Sequence, residues 1–351
     1  LTCIIKNKYG KVEMSTSFSS NHNFSKGFFY VADGTFNFYD TEKKTAYQDC
    51  YASLNAGKTL GIGNYDSANI IHSNGKFYLL VGTSTSNRDH FYIVDAKTLY
   101  YENSAVVGAN LSGLTILNEQ YGLVTGDGIR RIDLKSLNNV RIKNERLLCF
   151  YNSIIYNGKV LSNDTYKDES KVKYYDVNEL IAAKEGEAPA VTELDIIQKQ
   201  KINFVLAKDG NVYTLESADN GCNIVKIKND FTLEKVFANF QPAKGPYHSS
   251  PTIGMVASET ENIIYLVSTD GAIYKYILGD SDSLKAPFIA AESGVSITAP
   301  LQLNQQSGEL YVTYTEERKD ESKIVVYSKD GKVLHTVDCG ESVPSQILFN
   351  N

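Results

Sequence analysis

The side chains that most often carry chemistry are few in this chain and widely spaced. Its five histidines are His22, His72, His90, His248 and His335, and no two stand at the spacing of a local metal pair. The five cysteines, Cys3, Cys50, Cys149, Cys222 and Cys339, include no C-x-x-C pair, and their odd number forbids complete intramolecular pairing. The run AGKT (Ala56 to Thr59) resembles the end of a phosphate-binding loop. That loop needs a glycine where Ala52 stands, however, and no helix is expected to follow. A GIG at Gly61 lacks both the third glycine and the strand–helix–strand setting of a dinucleotide fingerprint. No G-x-S-x-G nucleophile elbow occurs. The Asp/Asn-rich stretches ESADNGCN and GDSDSL do not match a calcium-binding loop and read as solvated turns. The expectation is a chain without metal, cofactor or catalytic residues, and so not an enzyme. A lyase or hydrolase site assembled from distant segments is the route left open.

The elements that would position a site are strands. Of 351 residues, 24 are Tyr and 15 Phe with no Trp, and both types favour pleated, half-buried surfaces. A hydrophobic share of 42% suffices for a sizeable core. The net charge of −6 with scattered Lys and Arg argues against nucleic acid as a partner. No apolar run approaches the roughly 20 residues that cross a bilayer as a helix.

A strand that opens apolar, alternates and often ends in Asp recurs seven times. The copies are FNFYD (to Asp40), FYIVD (Asp95), IRRID (Asp133), VKYYD (Asp176), NIVKIK (Lys228), AIYKYIL (Leu278) and IVVYS (Ser328). A strand-only period of about fifty residues is the mark of propeller blades. Each copy follows a second strand, from FFYVA at Phe28 to ELYVTY at Glu309. Most units begin with a short apolar strand and an Asn-Gly or Asp-Gly turn, which supplies the positive φ of a tight hairpin. TLYYENS, TLEKVFA and KVLHTVDC read as outer fourth strands, and NELIAAKEGEAP from Asn178 as a short helix ending near Gly186 and Pro189, a decoration on the rim. SQILF near the C-terminus has no partner after it, while Phe28 opens a blade lacking its first strand, so the two ends complete one blade.

The fold class expected is all-β: a seven-bladed β-propeller of four-stranded antiparallel blades over 27–351, with 1–26 as an N-terminal hairpin or extension. The echo between CIIKNKYGKVEMSTSF and IVVYSKDGKVLHTVDC keeps an eight-bladed ring as the alternative.

In such a ring the loops between second and third strands, and those between successive blades, gather on one face, where a rigid scaffold presents them. They bring together Tyr65, Asp66, Arg88, His90, Tyr151, Tyr166, Tyr247, His248 and Arg318 as candidate ligand-binding residues. Tyrosine offers rigid contact area and a hydroxyl at little entropic cost, which suits a bulky, partly polar small molecule. The same tyrosines would also serve as ordinary packing. His72 and His335 fall in strands and read as hydrogen-bonded structural histidines.

The runs GFFYVADGTFNFYDTEKKT (Gly27 to Thr45), DSANIIHSNGKFYLLV with HFYIVDAKTL (Asp66 to Leu99), and the closing GELYVTYTEERKDESKIVVYSKDGKVLHTVDCGESVPSQILF (Gly308 to Phe349) resemble the first and last blades of YncE-like, surface-layer-type propellers of gut Bacteroidetes. The resemblance implies an outer-membrane surface lipoprotein working beside a TonB-dependent transporter, and one branch of such propellers captures cobalamin. Cys3 then reads either as a lipidated anchor cysteine or as an ordinary terminal thiol. Between strands of the first blade only Gly34 and Thr35 intervene, where relatives carry longer polar loops, and no individual corrinoid contact carries over. Two functions remain beside the enzyme: capture of a small molecule for a transporter, or a scaffold that docks protein partners.

Overall fold

The second strands of the described blades, such as Gly27–Ala32 and Ile263–Val267, are buried on both sides because each sheet is packed between two others, whereas outer strands such as Val333–Gly340 are mostly exposed. The computed structural model describes residues 23–56, 60, 67–82, 88–108, 111–126, 128–143, 153–163, 170–187, 189–198, 203–243, 254–316 and 321–350. They form seven antiparallel sheets, which rules out the eight-bladed alternative.

Strands are lettered A to D from the inside of each blade outward. Blade 1 takes Pro344–Leu348 as A, then Gly27–Ala32, Thr35–Asp40 and Thr45–Tyr47. Blade 2 runs Ser67–Ser73, Lys76–Gly82, Asp89–Asp95 and Tyr101–Gly108, and blade 3 Leu111–Ile116, Tyr121–Gly126, Gly128–Asp133 and Asn139–Lys143. Blade 4 comprises Ile154–Tyr156, Lys159–Asn163, Ser170–Asp176 and Val191–Gln198. Blade 5 comprises Val205–Leu206, Val212–Ala218, Gly221–Ile227 and Leu233–Phe240. Blade 6 has Met255–Ala257, Ile263–Val267 and Ile273–Ile277, its outer strand reduced to a bridge between Ile273 and Ile289. In blade 7 strand A comes in two pieces, Val295–Ile297 and Gln302–Leu303, beside Leu310–Glu316, Ser322–Tyr327 and Val333–Gly340.

The seven repeated strands of the sequence are the seven C strands. Their terminal Asp makes a turn by itself: one oxygen of Asp40 accepts from Glu42 N and Lys43 N, of Asp95 from Lys97 N and Thr98 N, of Asp133 from Lys135 N and Ser136 N. Carboxylates bond the backbone two or three residues on in this way, which is why the residue recurs before a chain reversal. At Asp176 the same geometry caps a helix, α2 (Val177–Ala182); an earlier helix, α1, spans Cys50–Leu54. Helix α2 is shorter than its sequence suggested and is more than a decoration. It buries Leu180 between blades 3 and 4, and Arg131 of blade 3 donates to Ile181 O and Ala183 O at its C-terminal end. The first hairpin turn is Asp33–Gly34, not Gly34–Thr35, with φ of 45° and 75°.

The apolar side chains fall into seven clusters, one at each blade junction. Period-two alternation divides them: in blade 7, Leu310, Val312 and Tyr314 face blade 6, while Tyr311 faces blade 1. At the blade 1–2 junction Phe29, Phe36 and Phe77 meet with ring centroids 5.1–5.5 Å apart. Each such fully buried ring stabilises the fold by roughly 1.5–3 kcal/mol.

Amide side chains stitch neighbouring inner strands together. Gln346 donates to Ile70 O at 2.7 Å and accepts from Ile70 N at 3.3 Å, joining the C-terminal strand to blade 2. Asn203 does the same for Met255 O and N, linking blade 5 to blade 6. Gln305 bonds Ala257 O and Glu259 N, linking blade 7 to blade 6. In each case one carboxamide supplies the donor and acceptor that a neighbouring strand would otherwise supply.

Candidate functional site

The B–C and D–A connections share one face of the disc, called the upper face here. Of the nine residues the sequence singled out for it, Tyr65, Asp66, Tyr151, Tyr166, Tyr247, His248 and Arg318 lie outside the described residues. Arg88 and His90 are described, and both belong to the upper end of blade 2. His90 is not in a loop as expected; strand C begins at Asp89, so His90 is its second residue, opposite Val81 and Val106.

Alternation along strand C sends its side chains to opposite sides. Phe91 and Ile93 pack toward blade 3, and Asp89 shares their side. His90 and Tyr92 lie on the side of blade 1, their rings stacked with centroids 5.9 Å apart, and the exposed Arg88 precedes the strand by one residue. This column rests on a tyrosine wedge from α1. The Tyr51 hydroxyl is buried without a hydrogen-bond partner among the described residues, and burial beside Tyr92 and Tyr101 pushes its ionisation well above the ordinary phenol range. Tyr92 is raised as well, first by burial and then by Tyr101. The phenols thus stay neutral.

The other side of blade 2 meets a group that sequence reading missed. In blade 3, Ile132 packs toward blade 2 and Ile129 toward blade 4, so Arg130 points to blade 2. Arg141 is its direct cross-strand partner, and Lys143 follows two residues later, so all three cations share one side of the sheet. Arg130 Nη1 donates to Asn139 Oδ1 at 3.2 Å. Two glycines make room for the guanidinium groups. A Cβ at Gly108 (φ +157°), the last residue of blade 2, would lie 3.0 Å from Arg130 Nε; one at Gly128 (φ +110°) would lie 3.0 Å from Arg141 Nε and 2.5 Å from Lys143 O. Any other residue at Gly128 would be both strained and in collision. Asp89, opposite Gly108 and buried, accepts from Leu111 N.

The cations stand in the sequence in IRRID, which reads as a strand, and in VRIK, but spacing alone does not bring the two together. His72 also departs from expectation. It lies in strand A of blade 2 beside Phe77, and its Nε2 is buried without a hydrogen-bond partner among the described residues. Burial depresses its pKa. The acidic turn ESADNGCN is the B–C hairpin of blade 5, and GDSDSL is a short 3-10 turn capped by Asp280.

Seven antiparallel sheets, most of them four-stranded and closed by a C-terminal strand on the first blade, define a seven-bladed β-propeller, here with an aromatic edge on blade 2 that faces the cations of blade 3 across the sheet. The chain belongs to the family described as a domain of unknown function (DUF5074), whose model matches residues 24–350. No curated protein matches it in sequence. Among solved structures it is similar to a functionally unknown protein from Desulfotomaculum acetoxidans DSM 771, with 13% identity and a TM-score of 0.59 over 93% of this chain and 99% of that one. It is also similar to the dihydro-heme d1 dehydrogenase NirN in complex with DHE, with 12% identity and a TM-score of 0.54 over 93% of this chain and 75% of that one. At such identities the likeness is one of fold.

Proposed function

We propose that this propeller is a non-enzymatic binding protein that holds a bulky, partly polar small molecule on its upper face, over blade 2. One observation carries the reading: blade 2 is flanked at its upper end by Arg88, His90 and Tyr92 on one side and by Arg130, Arg141 and Lys143 on the other. The two flanks are separated by a sheet, and packed sheets lie roughly 10 Å apart. A ligand that engages both must be larger than a simple ion or metabolite fragment. Aromatic rings give such a ligand apolar contact area and the cations fix its polar groups, the usual division of labour in a recognition site.

The resemblance to surface propellers of gut Bacteroidetes supports a corrinoid as the ligand and delivery to a TonB-dependent transporter as its use, with Cys3 as a lipid anchor. Equilibrium dialysis against cobalamin, with protein in excess, tests the corrinoid. The expected result is depletion of free cobalamin that Arg88→Ala and His90→Ala both diminish. Unchanged free cobalamin with the unaltered chain removes the corrinoid from the proposal.

A further inference from the structure

His72 is an ionisable side chain at the seam of the ring. The closing segment is tied to blade 2 at two heights: Gln346 bonds Ile70 N and O, and Asn350 Nδ2 donates to Ala96 O at 2.7 Å. Ala96 N is held in turn by Gly75 O. His72 lies between those ties, two residues after Ile70 and three before Gly75, in the inner strand next to the closing one. Alternation puts it on the same side as Ile70, toward blade 1 and the cluster that holds Phe29, Phe77 and Leu348. Its ring lies 5.1 Å from that of Phe77, its direct cross-strand partner, and its Nε2 is buried with no hydrogen-bond partner among the described residues.

An apolar side chain would fill this place without an unpaired nitrogen. A buried polar atom without a partner costs stability, and a buried charge costs more. The ionisable groups on the elements around it are turned away or engaged. Pro344 to Asn350 has none. In blade 1, Tyr30 and Tyr39 pack on the side of blade 7, Asp40 is bound by Lys43 and by the amides of residues 42 and 43, and Lys26 pairs with Glu42. In blade 2, Tyr78 packs toward blade 3, Lys76 pairs with Glu102, Asp95 bonds its own turn, and Lys97 is exposed. Burial is accordingly what lowers the pKa of His72.

We infer that His72 makes closure of the ring acid-sensitive: protonation of its imidazole places a charge in the seam between blade 2 and the closing strand and loosens Pro344–Leu348. No ligand enters this inference. A histidine depressed by burial takes up its proton more readily where the seam has opened to water. Closure is therefore favoured above the ordinary histidine value of about 6.5 and weakens as the pH falls through the folded value.

Hydrogen–deuterium exchange of the whole chain at about pH 7.5 and about pH 5.5, corrected for the intrinsic rate at each, tests this. In the unaltered chain the amides of residues 345–348 should lose protection severalfold at the lower pH, while those of Val212–Ala218 in blade 5 keep theirs. His72→Phe and His72→Gln, neither of which titrates, should each hold the closing strand equally protected at both pH values. His335→Gln, on the outer strand of blade 7, should behave as the unaltered chain does. Equal protection of the closing strand at both pH values in the unaltered chain overturns the inference. So does a loss shared in full by both His72 variants, or one as large in blade 5 as at the seam.

Discussion

Asp133 shows how much a single side chain decides. Its Oδ1 accepts from Ser136 N at 2.7 Å, Lys135 N at 3.0 Å and Ser136 Oγ at 3.0 Å, and its other oxygen from Gln120 at 3.3 Å. These bonds, the Ser136 backbone bond foremost, hold its carboxyl below the usual carboxylate range. A depressed folded-state pKa contributes stability that is fully present above the unfolded value of about 3.9 and is lost as the pH falls through the folded value. Asp133→Ala should therefore lower the stability of the chain by about 1 kcal/mol at neutral pH, read from the urea midpoint. The deficit should shrink steadily as the titration is repeated at lower pH, below about pH 4. A deficit constant from neutral to acid pH would mean that the carboxylate is not what the turn uses. The recurrence of this residue was legible because an Asp turn is local: its partners lie two and three residues away. Arg130 and Arg141 were not legible as a pair. Their meeting depends on the register of strands C and D, which shifts between Ile129 and Arg130. Sequence spacing carries no trace of that shift.

At the scale of elements, the carboxamides of Asn203, Gln305 and Gln346 replace missing ladder bonds between blades. Asn203→Ala removes two bonds at once and leaves the Met255 N–H without that acceptor. It should cost about 1–3 kcal/mol, whereas the same change at the exposed Asn229 should cost less. Thermal melting of the two variants checks the order, and equal losses would show that the inner strands do not need the amide. Strand patterning was readable wherever a blade packs on both sides, since a B strand such as Ile263–Val267 is then apolar throughout. It failed where a neighbour determines the shape. The end of α2 is set by Arg131 from the adjacent blade, and the helix α1 wedge, with Asn55 bonded to Leu99 O and Tyr101 N of blade 2, has no counterpart among the described residues of the other repeats.

For the whole molecule, seven apolar junctions and one closing strand replace a single core, and the ring is complete only when Pro344–Leu348 has joined blade 1 and Gln346 has reached blade 2. Closure was visible in the sequence because the last strand lacked a partner. The composition of the upper face is only half visible in the sequence. Arg88 and His90 lie at the upper end of blade 2, His90 in strand C rather than in a loop, and the flank on blade 3 arises from two sheets meeting. That meeting gives the disc its proposed role: a rigid support whose blade 2 carries recognition groups on both sides, too far apart for a small ion and suited to a large ligand. Native mass spectrometry of the chain purified from its own cells tests this most directly. The account predicts a retained small molecule on the unaltered chain that is lost from the folded double variant Arg88→Ala with Arg141→Gln. The mass of the bare chain alone, or the same molecule kept at equal occupancy by both proteins, would contradict it.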